Sequence, residues 1–186
     1  VYKLPDFNKV RDFYFFRDDI KCGMISNKFH FCIICCEKGE LFRIQLEKGN
    51  TYFTISNPRI KNYSPSFVIV TELFGFIICK YDIIRNDIFN TYLSLLNING
   101  VFIRDIVINS QVNNLISWKD QDTGVDYIAY SNEKGEIYYS EAYYLNFKLL
   151  TEQTYSKISS MSFNDDLQCF FLVLENGMMI FEPFCK

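Results

Sequence analysis

The sequence predicts an all-β chain assembled from repeated four-stranded units, and three observations carry that reading. Glu-Lys-Gly-Glu occurs at 37–40 and again at 133–136, and a third version, Glu-Asn-Gly-Met, occurs at 175–178. Each copy lies between short runs of β-branched and aromatic residues, the pattern of a β-hairpin whose Gly supplies the positive φ of a tight turn. Gly135 and Gly177 are 42 residues apart, the length of one four-stranded propeller blade. The third observation is that apolar residues come in runs of about four to seven, separated by Asn, Asp, Gly and Ser, and not at helical spacing. With 49% hydrophobic and 18% aromatic residues, core material is ample. The expected fold is a partial β-propeller of WD-repeat type, about four blades, the last lacking its outer strand.

Each blade is lettered a to d from its innermost strand outward. In the first, a is placed at 20–26, b at 29–36, c at 41–46 and d at 51–55, with Gly49 at the last turn. Asn57-Pro58 then ends the ladder, because Pro cannot donate to a sheet. The second blade takes 67–73, 75–79, 92–96 and 101–108, with Asn97-Ile98-Asn99-Gly100 as its c–d turn. Gly39 and Gly135 are 96 residues apart, so two units of 42 leave 12 over; the surplus is placed in the charged stretch 80–90, as a long b–c loop of the second blade. The third blade takes 115–119, 125–131, 136–141 and 147–150, and the fourth 158–163, 167–174 and 178–181. Its missing outer strand is expected from sequence outside this chain or from 13–16. The domain division is therefore 1–19, an N-terminal linker or a strand of a preceding blade, and 20–186, the blades (20–56, 64–109, 112–151 and 157–182). Helix content is expected to be low; 141–152 has the most helical character, yet Tyr143, Tyr144 and Phe147 suit a strand or extended loop as well. Open edges at either end of such an arc predict self-association of the isolated chain.

A net charge of −3 and a pI near 5.2, without any run of Lys or Arg, argue against nucleic acid as a partner. The longest apolar stretch, 67–79, is interrupted by Thr71 and Glu72 and falls short of the roughly 20 residues of a spanning helix, so no transmembrane segment is expected. Asp6, Lys9, Arg11 and Asp12 come too early for the apolar centre of a signal peptide. A chain that opens at Val1 reads as a piece of a longer polypeptide. Of the seven cysteines, Cys22, Cys32, Cys35 and Cys36 crowd the first hairpin. Neighbouring strand positions face opposite ways, so these read as free, buried thiols of a reducing cytosol and not as a disulfide framework.

Candidate chemistry is sparse. His30, read between Phe29 and Phe31 in a b strand, has no sequence partner for base catalysis. Cys32, Cys35 and Cys36 include a Cys-x-x-Cys spacing usual for zinc, but inside a strand and without a second pair. Asp120, Asp122 and Asp126 alternate as in a calcium loop, but with strand flanks and Gly124 one position early, which favours an a–b hairpin connection. Asn164-Asp165-Asp166 is equivalent in the next blade. The predicted inner strands carry mainly Ile, Met, Val, Ser and Asn, with Lys21 and Glu72 among their few charged residues. No catalytic residue, metal or cofactor is expected, and the chain is read as a non-enzyme.

The order Gly75-Phe76-Ile77-Ile78-Cys79, then Leu95-Leu96-Asn97-Ile98-Asn99-Gly100-Val101-Phe102-Ile103-Arg104, then Tyr127-Ile128-Ala129-Tyr130 resembles the C-terminal WD-type propeller of BEACH-domain (neurobeachin-like) proteins, nearest to divergent protozoan members. The resemblance covers 67–184. It departs from a regular WD repeat in that Trp118 is followed by Lys119 and the Asp, His, Ser and Trp tetrad is absent. It implies a protein-interaction module of a large scaffold acting in vesicle or membrane trafficking. The location implied is cytoplasmic, peripheral on endomembranes through the parent protein, with other proteins and upstream domains of the same polypeptide as partners. A purely structural repeat domain is the alternative, and a propeller hydrolase has the least support. Aromatic and Arg residues are enriched at binding hot spots. The candidate contacts, on the b–c and d–a face, are therefore Tyr81, Arg85 and Asn86 of the 80–90 stretch, with Lys61, Tyr63 and Lys134.

Overall fold

The computed structural model describes residues 19–46, 63, 65–85, 88–120, 122–151 and 155–184, and the backbone of Tyr2–Lys3, Asn8–Lys9 and Thr51–Ile55; the side chains of Arg85 and Ile88 are outside this set. Strands β1 (Tyr2–Lys3) and β2 (Asn8–Lys9) pair with each other. Four antiparallel sheets then follow in chain order. The first is β3 (Ile20–Ser26), β4 (Phe31–Cys36), β5 (Leu41–Gln45) and β6 (Thr51–Ile55), and the second β7 (Phe67–Val70), β8 (Ile77–Arg85), β9 (Ile88–Leu96) and β10 (Phe102–Ile108). The third is β11 (Val112–Asp120), β12 (Val125–Asn132), β13 (Ile137–Glu141) and β14 (Lys148–Leu149). The fourth has β15 (Ile158–Asn164), β16 (Cys169–Leu174) and β17 (Met179–Pro183), with no fourth strand among the described residues. Each sheet is a meander, and the first strands meet in sequence, β3 on β7, β7 on β11 and β11 on β15. This is a partial β-propeller, and no helix occurs among the described residues.

The repeated turn signature has one geometry. Cys36 donates its N–H to the Glu40 carbonyl (2.8 Å) and accepts from Gly39 N–H (3.0 Å). Asn132 does the same with Glu136 and Gly135 (3.1 and 3.2 Å), and Leu174 with Met178 and Gly177 (2.9 Å each). These are three-residue hairpin loops with the glycine in the left-handed region, φ 86°, 77° and 84°. Asn97 builds the same loop at the c–d turn of the second blade. Asn97 and Asn132 reinforce it, their side-chain oxygens accepting two further backbone N–H groups each.

The second blade differs from expectation. Its surplus residues form no loop: β8 and β9 are long strands paired from Ile77↔Leu96 to Arg85↔Ile88. Cys79, Tyr81 and Ile83 alternate into the core, while Lys80 and Asp82 pair at 2.9 Å, so the charges are satisfied within the strand. His30 belongs to the a–b turn and not to a strand, with φ 52°, and β4 starts one residue later at Phe31. Residues 71–76 likewise leave the ladder to form a turn, and β14 is shorter than the predicted 147–150.

Apolar side chains fill the spaces between blades. Phe31, Ile33, Cys35 and Leu41 of the first blade meet Val68, Val70, Ile77, Cys79, Tyr81 and Ile83 of the second. The intervening residues Ile69 and Ile78 point the other way, joining Leu93 and Leu95 against Val112, Leu115, Ile128 and Tyr130 of the third. Between the third and fourth blades Trp118 is the centre, stacked on Phe163 (4.6 Å) and met edge-on by Phe170 and Phe184 (5.2 Å each). Its indole N–H is buried without an acceptor among the described residues.

Trp118→Ala is expected to lower unfolding free energy by about 3–5 kcal/mol. Trp118→Phe is expected to cost clearly less, since it keeps a ring and removes an unsatisfied donor; urea titration distinguishes the two. The repeated turns also differ in tolerance. A Cβ at Gly135 would stand 2.0 Å from the Tyr155 carbonyl oxygen, whereas one at Gly177 meets nothing within 4 Å. Gly177→Ala should therefore cost only its left-handed strain, about 1–2 kcal/mol, and Gly135→Ala should cost more, read as unequal shifts in denaturation midpoint.

Candidate functional site

In a meander blade the a–b and c–d turns emerge at one end and the b–c and d–a connections at the other. Exposed aromatic side chains gather at the a–b/c–d end of the second and third blades. Phe74, in the a–b turn of the second blade, is 55% exposed, and Tyr144, in the c–d turn of the third, is 56% exposed. Ring contacts run from Phe74 to Phe76 (5.7 Å), Phe76 to Tyr143 (5.8 Å) and Tyr143 to Tyr144 (5.3 Å). These rings, with Val125, line a groove of about 290 Å³. A second hollow of about 220 Å³ is lined by Tyr127, Tyr139, Asn146, Lys148 and Phe184. Glu141 and Tyr144 border both, so the two make one trough.

The aromatic positions are fixed from beneath. Asp126, 2% exposed at the start of β12, accepts the backbone N–H groups of Leu73 (2.9 Å) and Phe74 (2.9 Å). A buried carboxylate is tolerable only with such donors, and it ties the second blade's turn to the third blade. Thr71 Oγ1 accepts Phe76 N–H at 3.0 Å, closing the turn from within. In the c–d turn, Ala142 and Leu145 are buried in the core between the blades. Tyr144 and Leu145 N–H groups both bond the Glu141 carbonyl at 3.2 Å, a single tight turn that leaves Tyr143 and Tyr144 outward. Arg104, on β10, lies 4.8 Å from the Tyr143 ring centre and donates to the Tyr144 carbonyl at 3.4 Å.

At the same end, where the inner strands finish, Lys119 and Glu72 pair at 2.9 Å. The hydrogen bond and charge of Glu72 hold the Lys119 pKa above its ordinary value. Desolvation, with the nearby Glu72 charge, pushes the Asp165 carboxyl upward. The Asp120 side chain is engaged by its own turn, accepting Asp122 N–H at 3.1 Å. With Asp126 committed to blade 2, the alternating carboxylates act as hairpin residues. Among the described residues no three His, Cys, Asp or Glu side chains are placed to hold a metal. The trough offers stacking surface with a polar rim of Glu141, Asn146 and Lys148.

The residues expected at the binding face do not assemble into one patch. Tyr81 is 2% exposed, in the middle of β8 and within the core between the first two blades, so it is unavailable to a partner. Tyr63 is half-buried against the same core. Lys134 is exposed in the b–c turn of the third blade. Arg85 ends β8, with only its backbone described, and Lys61 and Asn86 lie outside the described residues. Phe74 and Arg104 carry no sequence signal as contacts, and Tyr143 and Tyr144 only that of an adjacent pair in a segment without clear periodicity.

No family model and no curated protein matches the sequence. Solved structures do share the fold. The computationally designed Ika4 protein aligns with a TM-score of 0.65 at 8% identity, over 94% of this chain and 96% of Ika4. The designed Ika8 protein aligns at 0.60 and 10% identity, over 88% of this chain and 45% of its own. BBS1N, solved in complex with ARL6DN, aligns at 0.51 and 9% identity, over 90% of this chain and 62% of its own. Among the described residues no helix is long and apolar enough to cross a membrane.

Asp126→Ala should destabilise the protein by about 2–3 kcal/mol, because it strands two backbone donors. Asp126→Asn retains one acceptor and should lose about half as much. Chemical denaturation of both variants checks the order.

Proposed function

We propose that this propeller is a non-enzymatic protein-interaction module that holds its partner in the aromatic trough between the second and third blades. The observation that carries the reading is the row of rings in which exposed Phe74, Tyr143 and Tyr144 are joined through the half-buried Phe76, on turns anchored by Asp126 and Arg104. Large apolar rings on rigid supports, bordered by polar groups, are the make-up of interaction hot spots. A shared fold is compatible with this role without proving it; BBS1N was itself solved with a second protein, ARL6DN. The charged groups at the inner strand ends neutralise each other as Glu72 and Lys119, which favours a binding role over a hydrolase.

The resemblance to BEACH-domain propellers extends the proposal: the module belongs to a large cytoplasmic scaffold in vesicle or membrane trafficking, and meets membranes peripherally through its parent protein. Affinity capture from the native cell with the full-length parent tests both levels. Phe74→Ala combined with Tyr144→Ala should remove a defined partner at least tenfold while leaving the melting temperature within about 2 °C, since both rings are exposed. Lys134→Ala, on the opposite face, should retain that partner. Loss with Lys134→Ala alone would move the interface to the other face, and an unchanged set with every variant would favour a structural repeat.

A further inference from the structure

A group of thiols lies where the first blade packs on the second. Cys22 on β3 and Cys35 on β4 stand directly opposite each other in register, and their side chains are in hydrogen-bond contact. Cys79 of β8 lies close to both and is bonded to the Tyr81 hydroxyl. Cys35 and Cys79 are fully buried, whereas Cys22 is only partly so. The Cys22 thiol also donates to the Pro65 carbonyl at 3.6 Å, reaching across to the segment that enters the second blade.

Two neighbouring thiols of unequal access have an asymmetric chemistry, because the thiolate is the nucleophile and only an accessible one meets a solute. The hydrogen bond from Cys35 lowers the Cys22 pKa, while that same contact, burial and the surrounding sulfurs raise the Cys35 pKa. Of the two, the sulfur that solvent can reach is the one that ionises more readily. We propose that Cys22 and Cys35 form a reversible dithiol–disulfide couple responsive to hydrogen peroxide, with Cys22 as the attacking and Cys35 as the resolving cysteine.

The reaction balances within this pair and the peroxide. The Cys22 thiolate attacks one peroxide oxygen and the O–O bond breaks; Cys22 becomes a sulfenic acid, and the departing hydroxide takes the proton that Cys22 released, giving water. Cys35 sulfur then attacks the Cys22 sulfur, the S–O bond breaks, and the Cys35 proton leaves with the hydroxide as a second water. Two electrons pass from the sulfur pair to the peroxide oxygens. A small dithiol reverses the change by exchange. Oxidation removes the S–H that reaches Pro65, so one tie between the first blade and the entry to the second is released. The contact of Val70 N–H with Met24 Sδ, at 3.0 Å, remains.

The experiment uses the intact chain exposed to hydrogen peroxide, alkylated, digested without reduction and examined by mass spectrometry. The expected result is a single intramolecular Cys22–Cys35 cross-link, two of the seven thiols lost, and both restored by dithiothreitol. Cys35→Ser should leave Cys22 as a sulfenic acid trapped by dimedone, and Cys22→Ser should protect Cys35. In unmodified native protein, iodoacetamide should label Cys22 before Cys32, Cys35, Cys36, Cys79 and Cys169, a readout that needs no variant. Seven intact thiols at peroxide levels that oxidise free cysteine, a cross-link to Cys79 instead, or labelling of another of these cysteines before Cys22 would overturn the proposal.

Discussion

Every part of this molecule depends on one constraint: a four-stranded sheet has two faces, and here an inner blade covers both only by lying between neighbours. The second blade shows it residue by residue. Val68 and Val70 face the first blade while Ile69 faces the third, and Cys79 and Ile78 divide in the same way. Because adjacent strand positions point oppositely, a one-residue register slip would turn both faces outward at once. The alternation therefore specifies the pairing as firmly as the turns do. The terminal blades carry the residue of the problem: Ile20 and Ile25 on the first, and Met179 and Phe181 on the last, are exposed.

Interblade packing also creates the trough. Ala142 and Leu145 must enter the core between the second and third blades, and the tight turn between them has room to turn Tyr143 and Tyr144 only toward solvent. Asp126 adds a polar tie across the same boundary, reaching a turn more than fifty residues earlier in the chain. Burying a carboxylate is unfavourable unless its oxygens are satisfied, so the pairing orders the Phe74 turn as strictly as it stabilises the sheets. The aromatic row is thus a by-product of core geometry, positioned by contacts within the chain.

What was legible in the sequence follows from what is local. The three Gly-containing b–c turns and the Asn97 turn declare themselves because a hairpin loop is decided by three or four consecutive residues, and strand limits such as Ile20–Ser26 followed from them. The charge of the stretch 80–90 reads as a loop, whereas Lys80 and Asp82 neutralise each other along one strand face as Tyr81 and Ile83 enter the core. An aromatic in a charged context looks like a hot spot until the blade that covers it is known. The trough was hidden for the complementary reason. Nothing near Phe74 in sequence indicates Asp126, and nothing near Tyr143 indicates Arg104, which reaches it from another blade.

The turn that presents Phe74 is supported from both neighbouring blades. Gly75 follows Phe74 directly, with φ +68°, and its α-carbon is crowded by Phe29 of the first blade and by Ile98; a Cβ there would stand 2.9 Å from each. The turn that presents Phe74 is therefore braced on one side by the first blade, through Phe29, and on the other by the third, through Asp126. The Cys22 contact with Pro65 lies before β7, at the opposite end of that strand from the Phe74 turn. Tyr143 and Tyr144 have a separate support, Arg104 of the second blade and the buried Ala142 and Leu145, so the two sides of the trough are fixed by different contacts.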